Sequence, residues 1–303
     1  MNVSAVVTSE NDYEDLLGQW SDLESGLGVV LSAPSNVREF LPRVVQYDRW
    51  MRDLMARDPD VGLYLLFQLA GNSPVGYSAS HALVCATLCH LIAQQQHLQA
   101  HLRDSLVRAA LTMNIAMTRL QDALAYQSEK PNPSQQEIIQ THPAAGRKLL
   151  QEVGITDTLW LAIVANHHDE AAKLPSGQAS AVAQLGRVLR TVDRYAAMIS
   201  PRMSRAGRTA TESARALIAS TSAAADEVAH ALVQVVGLCP PGTFVRMETY
   251  VAVVGSADGS LLKTPVLQDT TVGTHQVRTA LAAAAVQAKL NHFHILRLGA
   301  QLP

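Results

Sequence analysis

The chain has 303 residues, 48% of them hydrophobic and only 17% charged, against a charged share of roughly 25% in average globular domains. That much apolar material supports a sizeable core and excludes a largely disordered chain. Lysine plus arginine number 24 and the acids 26, so the net charge of −2 excludes a global pull toward nucleic-acid polymers or anionic membranes.

Aromatic residues at 5% fit an alanine- and leucine-rich helical protein better than a β-sandwich. Three cysteines, Cys85, Cys89 and Cys239, are too few for a disulfide framework. The run MNVSAVVTSENDYEDLL has no basic stretch leading into an apolar one, so no secretory signal is read there. The apolar run 81–93 is shorter than the roughly 20 residues that span a bilayer. A cytoplasmic protein with no membrane partner is expected.

Residues 1–73 read as a helical N-terminal segment. Ser9 with Asp12 resembles a capping box, Ser35 can cap a helix over 36–55, and Asp58-Pro59-Asp60 breaks it. The turn-forming stretch 71–78 separates this segment from the next. Residues 74–236 read as a helical bundle. Ser78 or Ser80 opens a helix to Gln96, a second runs from Leu102 to Gln127, and Lys130-Pro131-Asn132-Pro133 stops it. Ser134 with Glu137 predicts a capping box for a short helix, and Pro143 the first turn of another, which Gly154 ends. Thr156 or Asp157 caps a helix reaching His167. After a loop over 169–180 come a helix over 181–199 and two more between Thr209 and Val236.

Residues 237–303 change texture. Cys239-Pro240-Pro241-Gly242 is a firm stop, 243–254 are rich in strand formers, and Asp258-Gly259 predicts a hairpin turn before 279–290 returns to helix. The expected fold is therefore an all-α helical bundle with a small C-terminal β-hairpin appendage.

Histidines carry the chemistry. His81, His142, His167-His168 and Asp193 fall on successive helices or their ends, 61, 25 and 26 residues apart. The shorter steps are each about one helical hairpin, so successive helices could return these side chains to one place, where imidazoles and a carboxylate suit a divalent transition metal. Unrelated surface or capping histidines are the alternative. His81, Cys85 and Cys89 also recur every four residues on one helix face, either a zinc-type set or, more simply, core packing.

The segments YSASHALVCATLCHLIA (77–93), SLVRAALTMNIAM (105–117), THPAAGRKLLQEVG (141–154), NHHDE (166–170) and RVLRTVDRYAAMISPR (187–202), in this order, resemble the HD-GYP branch of the HD-domain metal-dependent phosphohydrolases. The resemblance runs from about Tyr77 to Leu217, and GLCPPGTFVRM (237–247) is similar to the sequence that follows some of these domains. It implies an HD-domain-like helical bundle holding two or three ions, usually iron or manganese, that hydrolyses the bacterial second messenger cyclic di-GMP. By position, His81, His142, His167, His168 and Asp193 match the family's metal ligands. Arg202 stands where a phosphate-facing basic residue is often found, although a solvated loop arginine accounts for it equally.

The departures matter as much. Met113-Asn114 stands in place of the name-giving His-Asp, Met117 in place of the lysine that follows, and AAKLPSGQ (171–178) in place of the GYP word. Ala196 replaces the second aspartate of the late motif. Two divalent ions about 3.5–4 Å apart repel by roughly 18 kcal/mol at an effective dielectric of ~20. Asn114 offers a carbonyl oxygen but no charge to offset this, and Met113 only a thioether. A dinuclear hydrolase of the family's kind is therefore not expected. A three-imidazole set with one divalent metal (iron, manganese or zinc) remains open beside an empty, repacked site with none. Three readings follow: a catalytically impaired regulatory or binding module of cyclic-dinucleotide signalling, with a cyclic dinucleotide or a protein as partner; an active cyclic di-GMP phosphodiesterase; and a structural helical interaction protein.

Overall fold

The computed structural model describes residues 10–72, 75–169, 179–220, 223–237 and 240–241, together with 244–246, 251–254 and 261–262. Eleven α-helices dominate these residues. They are α1 (Glu10–Ser32), α2 (Phe40–Arg57), α3 (Pro59–Asn72), α4 (Tyr77–Gln95), α5 (Ala100–Thr112), α6 (Thr118–Ala125), α7 (Pro133–Glu152), α8 (Thr158–Asn166), α9 (Ala179–Ile199), α10 (Ala210–Ser220) and α11 (Ala223–Val236). The predominantly helical class expected from composition is the one found. The expected Ser9 cap, most of the 169–180 loop, Cys239, the Asp258-Gly259 turn and the 279–290 helix lie outside the described residues.

Contacts divide the chain into two compact units. One comprises Met1–Ser21, Asp53–Leu65 and Val236–Pro303. Within it Leu16, Trp20, Leu54 and Leu63 are buried, and Arg57 meets Asp15 at 3.3 Å. Three short strands, β1 (Phe244–Arg246), β2 (Val251–Val254) and β3 (Leu261–Leu262), pair antiparallel in that order, with Phe244 opposite Val253 and Val254 opposite Leu261.

The other unit comprises Asp22–Arg52 and Leu66–Val235. Its centre is α4, which is apolar all round, so it is buried on every side as such a helix must be. Helices α5, α6 and α9 pack against α4, and α8 packs against α5, α7 and α9. The first turn of α4 is capped from a distance, because Asp122 of α6 accepts from the Ser78 amide at 2.7 Å.

Two helices depart from the sequence expectation. The single helix expected over 102–127 is interrupted at 113–117, where Ile115 N–H donates to Thr112 O and Met117 N–H to Asn114 O in tight turns. Thr112, Asn114, Ile115 and Thr118 are poor helix formers, and the Thr118 hydroxyl competes for the Asn114 and Ile115 carbonyls. The helix pair expected around Pro143 is instead one helix, α7. Its capping box is Asn132 with Gln135, not Ser134 with Glu137: each side chain accepts from the other's amide at 2.9 Å.

Polar bonds pin α8 to α5: at the start of α8 the Ser105 hydroxyl donates to its N-cap Asp157 at 2.7 Å, and the second bond lies deeper. The fully buried Trp160 donates its indole N–H to Thr112 Oγ1 at 2.8 Å. Thr112→Val keeps the shape but strands that donor, an expected loss of about 1–3 kcal/mol in urea denaturation. A change within noise would show that the indole finds another acceptor.

Candidate metal centre

Pro143 explains how His142 is held. Lacking an amide hydrogen, Pro143 cannot bond the carbonyl four residues back, that of Ile139, so this acceptor is left open inside α7. The His142 ring fills it, donating from Nδ1 to Ile139 O at 2.6 Å. His167 is fixed by the same device at a helix end. It follows the last residue of α8, and its Nδ1 donates to the Val164 carbonyl at 2.7 Å. Arg190 of α9 donates to the carbonyls of His167 and Asp169, at 3.1 and 2.6 Å, which clamps the His167-His168 turn.

These bonds settle the tautomers. A carbonyl only accepts, so both Nδ1 atoms carry the hydrogen. Burial and the neighbouring His168 push the His167 imidazole down to about 3, and burial also lowers His142, so both rings are neutral at pH 7. Each Nε2 is then a bare lone pair. The two lone pairs face each other across 3.2 Å, buried, with no proton between them. Two acceptors in that position repel unless an electrophile sits between them. A tetrahedral ion with bonds of about 2.0–2.1 Å sets neighbouring nitrogens about 3.3–3.4 Å apart, close to this spacing. Nδ1 committed to a backbone carbonyl with Nε2 free is also the usual state of a metal-ligating histidine. The exposed His168 completes the set, its ring 4.1 Å from that of His167 and 5.2 Å from that of His142, with a ligand atom of each within 4.8 Å of the others. The donor set fits a divalent ion.

Asp193 of α9 meets His81 of α4, with Oδ1 2.8 Å from His81 Nε2. Burial raises its pKa, but the His81 hydrogen bond and the imidazoles of His81, His167 and His168 outweigh this and hold the carboxyl below its ordinary value. His81 Nε2 also lies 3.6 Å from Cys85 Sγ, and His81, Cys85 and Asp193 form a second group able to hold an ion. Cys89, which the sequence places on the same helix face, is not in it. All five histidine and aspartate positions singled out in the sequence thus fall in these two groups.

The remaining positions are placed differently. Arg202 is not a solvated loop residue. Its guanidinium lies 4.6 Å from the centre of the Tyr77 ring and donates to the Tyr77 hydroxyl at 2.7 Å, while Tyr77 stacks on His81 at 5.3 Å. Met113 is buried, and Asn114 and Met117 are half-buried. Met113 and Asn114 line, with Ser78, Ala82 and Gln121 among others, a cavity of about 10 Å³, the size that takes one water, and none of the five candidate ligands borders it. Two contributors escaped the sequence reading. Tyr77 was findable as an aromatic residue one helical turn before His81, whereas Arg190, 23 residues after His167, carries no local signal.

No family model, no curated protein and no solved structure matches this chain. No helix of the described residues is long and apolar enough to cross a membrane.

Proposed function

We propose that the chain is a diverged HD-GYP-like module that holds one divalent ion, iron, manganese or zinc, on His142, His167 and His168. In this reading it serves as a regulatory or binding component of bacterial cyclic-dinucleotide signalling rather than as a hydrolase. The observation that carries the metal is the pair of buried Nε2 lone pairs facing each other at 3.2 Å. A bound ion would supply Lewis acidity and an acidified water. Asp193, whose carboxyl is bonded to His81 and also feels His167 and His168, would be the carboxylate to accept a hydrogen bond from such a water. Against hydrolysis stand Met113 and Asn114, which bring no charge where the resemblance requires a carboxylate. Arg202, held on Tyr77, is the cation available to a dinucleotide phosphate.

Elemental analysis of unchelated protein is expected to find a divalent ion that His142→Ala and His167→Ala lose. Cyclic di-GMP turnover, followed by chromatography with manganese or iron supplied, is expected to stay at background. Cyclic di-GMP is expected to bind in titration, and Arg202→Ala to weaken it. Robust wild-type turnover abolished by His167→Ala would replace this reading with the phosphodiesterase. Protein that binds neither metal nor dinucleotide would leave a structural helical protein.

A further inference from the structure

We propose that the surface around the start of α4 docks an acidic amphipathic helix of a partner protein. It is formed by Val29, Val75, Tyr126 and Met203 and rimmed by Arg119 and Arg205, all exposed. None of them is a candidate metal ligand, so the surface stands whether or not the histidines hold an ion.

Six large apolar side chains are exposed among the described residues, and four of them gather here. Gly28 of α1 abuts Val75, since a Cβ on Gly28 would lie 2.9 Å from Val75 Cγ1. That brings Val29 beside Val75, just ahead of α4. Asp122 of α6 caps this end of α4 at Ser78, and Arg119, Asp122 and Tyr126 recur three and four residues apart, on one side of α6 and its cap. The Met203 amide donates to the Ala125 carbonyl at 2.8 Å, which sets Met203 next to Tyr126. Val29 is 70%, Tyr126 72% and Met203 67% exposed. Apolar side chains exposed singly are ordinary, but a contiguous set marks an interaction surface. Met203 also stands on a rigid turn. Arg202 and Arg205 exchange amide-to-carbonyl hydrogen bonds at 2.9 Å, and the Arg208 amide donates to the Met198 carbonyl at 2.9 Å. Gly207 admits no side chain, because a Cβ there would lie 2.5 Å from the Ile199 carbonyl oxygen. A side chain presented on a backbone fixed in this way loses little freedom on binding.

Charge names the partner. The carboxylates nearest in the chain to Arg119 and Arg205, Asp122 and Glu212, already accept from the Ser78 and Thr209 amides at 2.7 and 2.9 Å. Neither arginine has an ion pair among the described residues. Arg205 donates to the Ala197 carbonyl, which leaves other N–H groups of its fork to a carboxylate. Burial and the guanidiniums of Arg202 and Arg208 press its pKa down, with Tyr77 opposing, and a carboxylate from a partner relieves that crowding of cations. Tyrosine, methionine and arginine are the residue types that protein interfaces favour. The unit has no strand among its described residues, so strand addition is closed to it, and a lone tyrosine does not build a polyproline groove. A helix with an apolar stripe and acidic flanks is the recognition mode that remains.

The probe is a fluorescent helical peptide with a leucine stripe and a glutamate face, titrated with the full-length chain and followed by anisotropy. Saturable binding is expected, weakened about tenfold by Tyr126→Ser, Met203→Ser or Arg205→Glu. Added salt should weaken it further by screening the arginines. Ile138→Ser and Leu41→Ser, which remove the other two exposed apolar side chains, should bind as wild type does. Circular dichroism confirms that each variant is folded. Binding that is absent, that survives replacement of the peptide's glutamates by lysines, or that falls equally in the Ile138 and Leu41 variants overturns the proposal. A dimer in sedimentation that Met203→Glu dissociates overturns it in favour of a second copy of this chain. Met203-dependent binding to phosphatidylserine vesicles, with none to the peptide, overturns it in favour of a membrane. Peptide binding that persists in chelator-stripped protein supports it, and a failure to find metal counts against the three-histidine reading alone.

Discussion

Lowering the pH from about 7.5 to about 5, with chelator present, is expected to cost this protein several kcal/mol of folding stability. Buried histidines are responsible, His167 and His90 with the largest shifts and His142 in the same direction. His167 is pushed down to about 3 by burial and then by His168, with the Val164 carbonyl and Asp193 opposing and His142 adding a little. His90 of α4 is pushed down to about 4 by burial and by Arg52 and Arg103, with Asp104 opposing. In the unfolded chain both titrate near 6.5. Above that value both states are neutral and neither histidine makes stability depend on pH. Below it the unfolded chain takes up protons that the folded chain refuses. Stability therefore falls from about pH 6.5 down to the folded values, by on the order of 2 kcal/mol per histidine at about pH 5. Urea denaturation at several pH values measures this. His90→Leu, which keeps an apolar side chain in the site, should remove the part of the slope that His90 contributes and leave that of His167 and His142. A stability that is flat to about pH 5 would mean that these rings are charged or solvated in the folded protein.

Zinc added to chelator-stripped protein at about 100 times its Kd is expected to stabilise the fold by about 2.7 kcal/mol. For a chain of 303 residues that is roughly 4 °C in Tm. His142→Ala and His167→Ala each remove a buried ring as well as a ligand, so each apo variant melts lower on its own account. The informative quantity is the zinc-dependent shift measured against each variant's own apo form, and it should disappear in both. His168→Ala tests the exposed third ligand with little effect on the apo protein, and it should shrink the shift. Arg190→Ala, which frees the His167-His168 turn without touching a ligand atom, should weaken zinc binding by about 10–100-fold, as loss of a supporting bond to a metal-site residue does. An equal zinc shift in wild type and all three histidine variants would place the ion elsewhere.

Sequence alone determined the helical class and placed the singled-out histidines and Asp193 on successive helices or their ends, while the structure sorts them into two groups. The apolar content of residues 77–93 makes α4 a buried central helix, and hairpin-length steps along the chain return His142, His167 and Asp193 to neighbouring helices. The HP dipeptide even contains the device that holds His142, since an open Ile139 carbonyl follows from proline chemistry. Other features belong to the tertiary structure. Local propensity ended α7 at Pro143, but the helix runs through, because the ring of His142 satisfies the carbonyl that proline leaves open. Helical periodicity paired Cys85 with Cys89, whereas packing of α9 on α4 pairs it with Asp193, 112 residues from His81. The opposed Nε2 lone pairs depend on two rings turned by separate backbone carbonyls, and Arg190 reaches its turn across 23 residues. Spacing along a chain reports which face of a helix a residue occupies; it holds no information on which way a ring turns or which distant helix arrives opposite it.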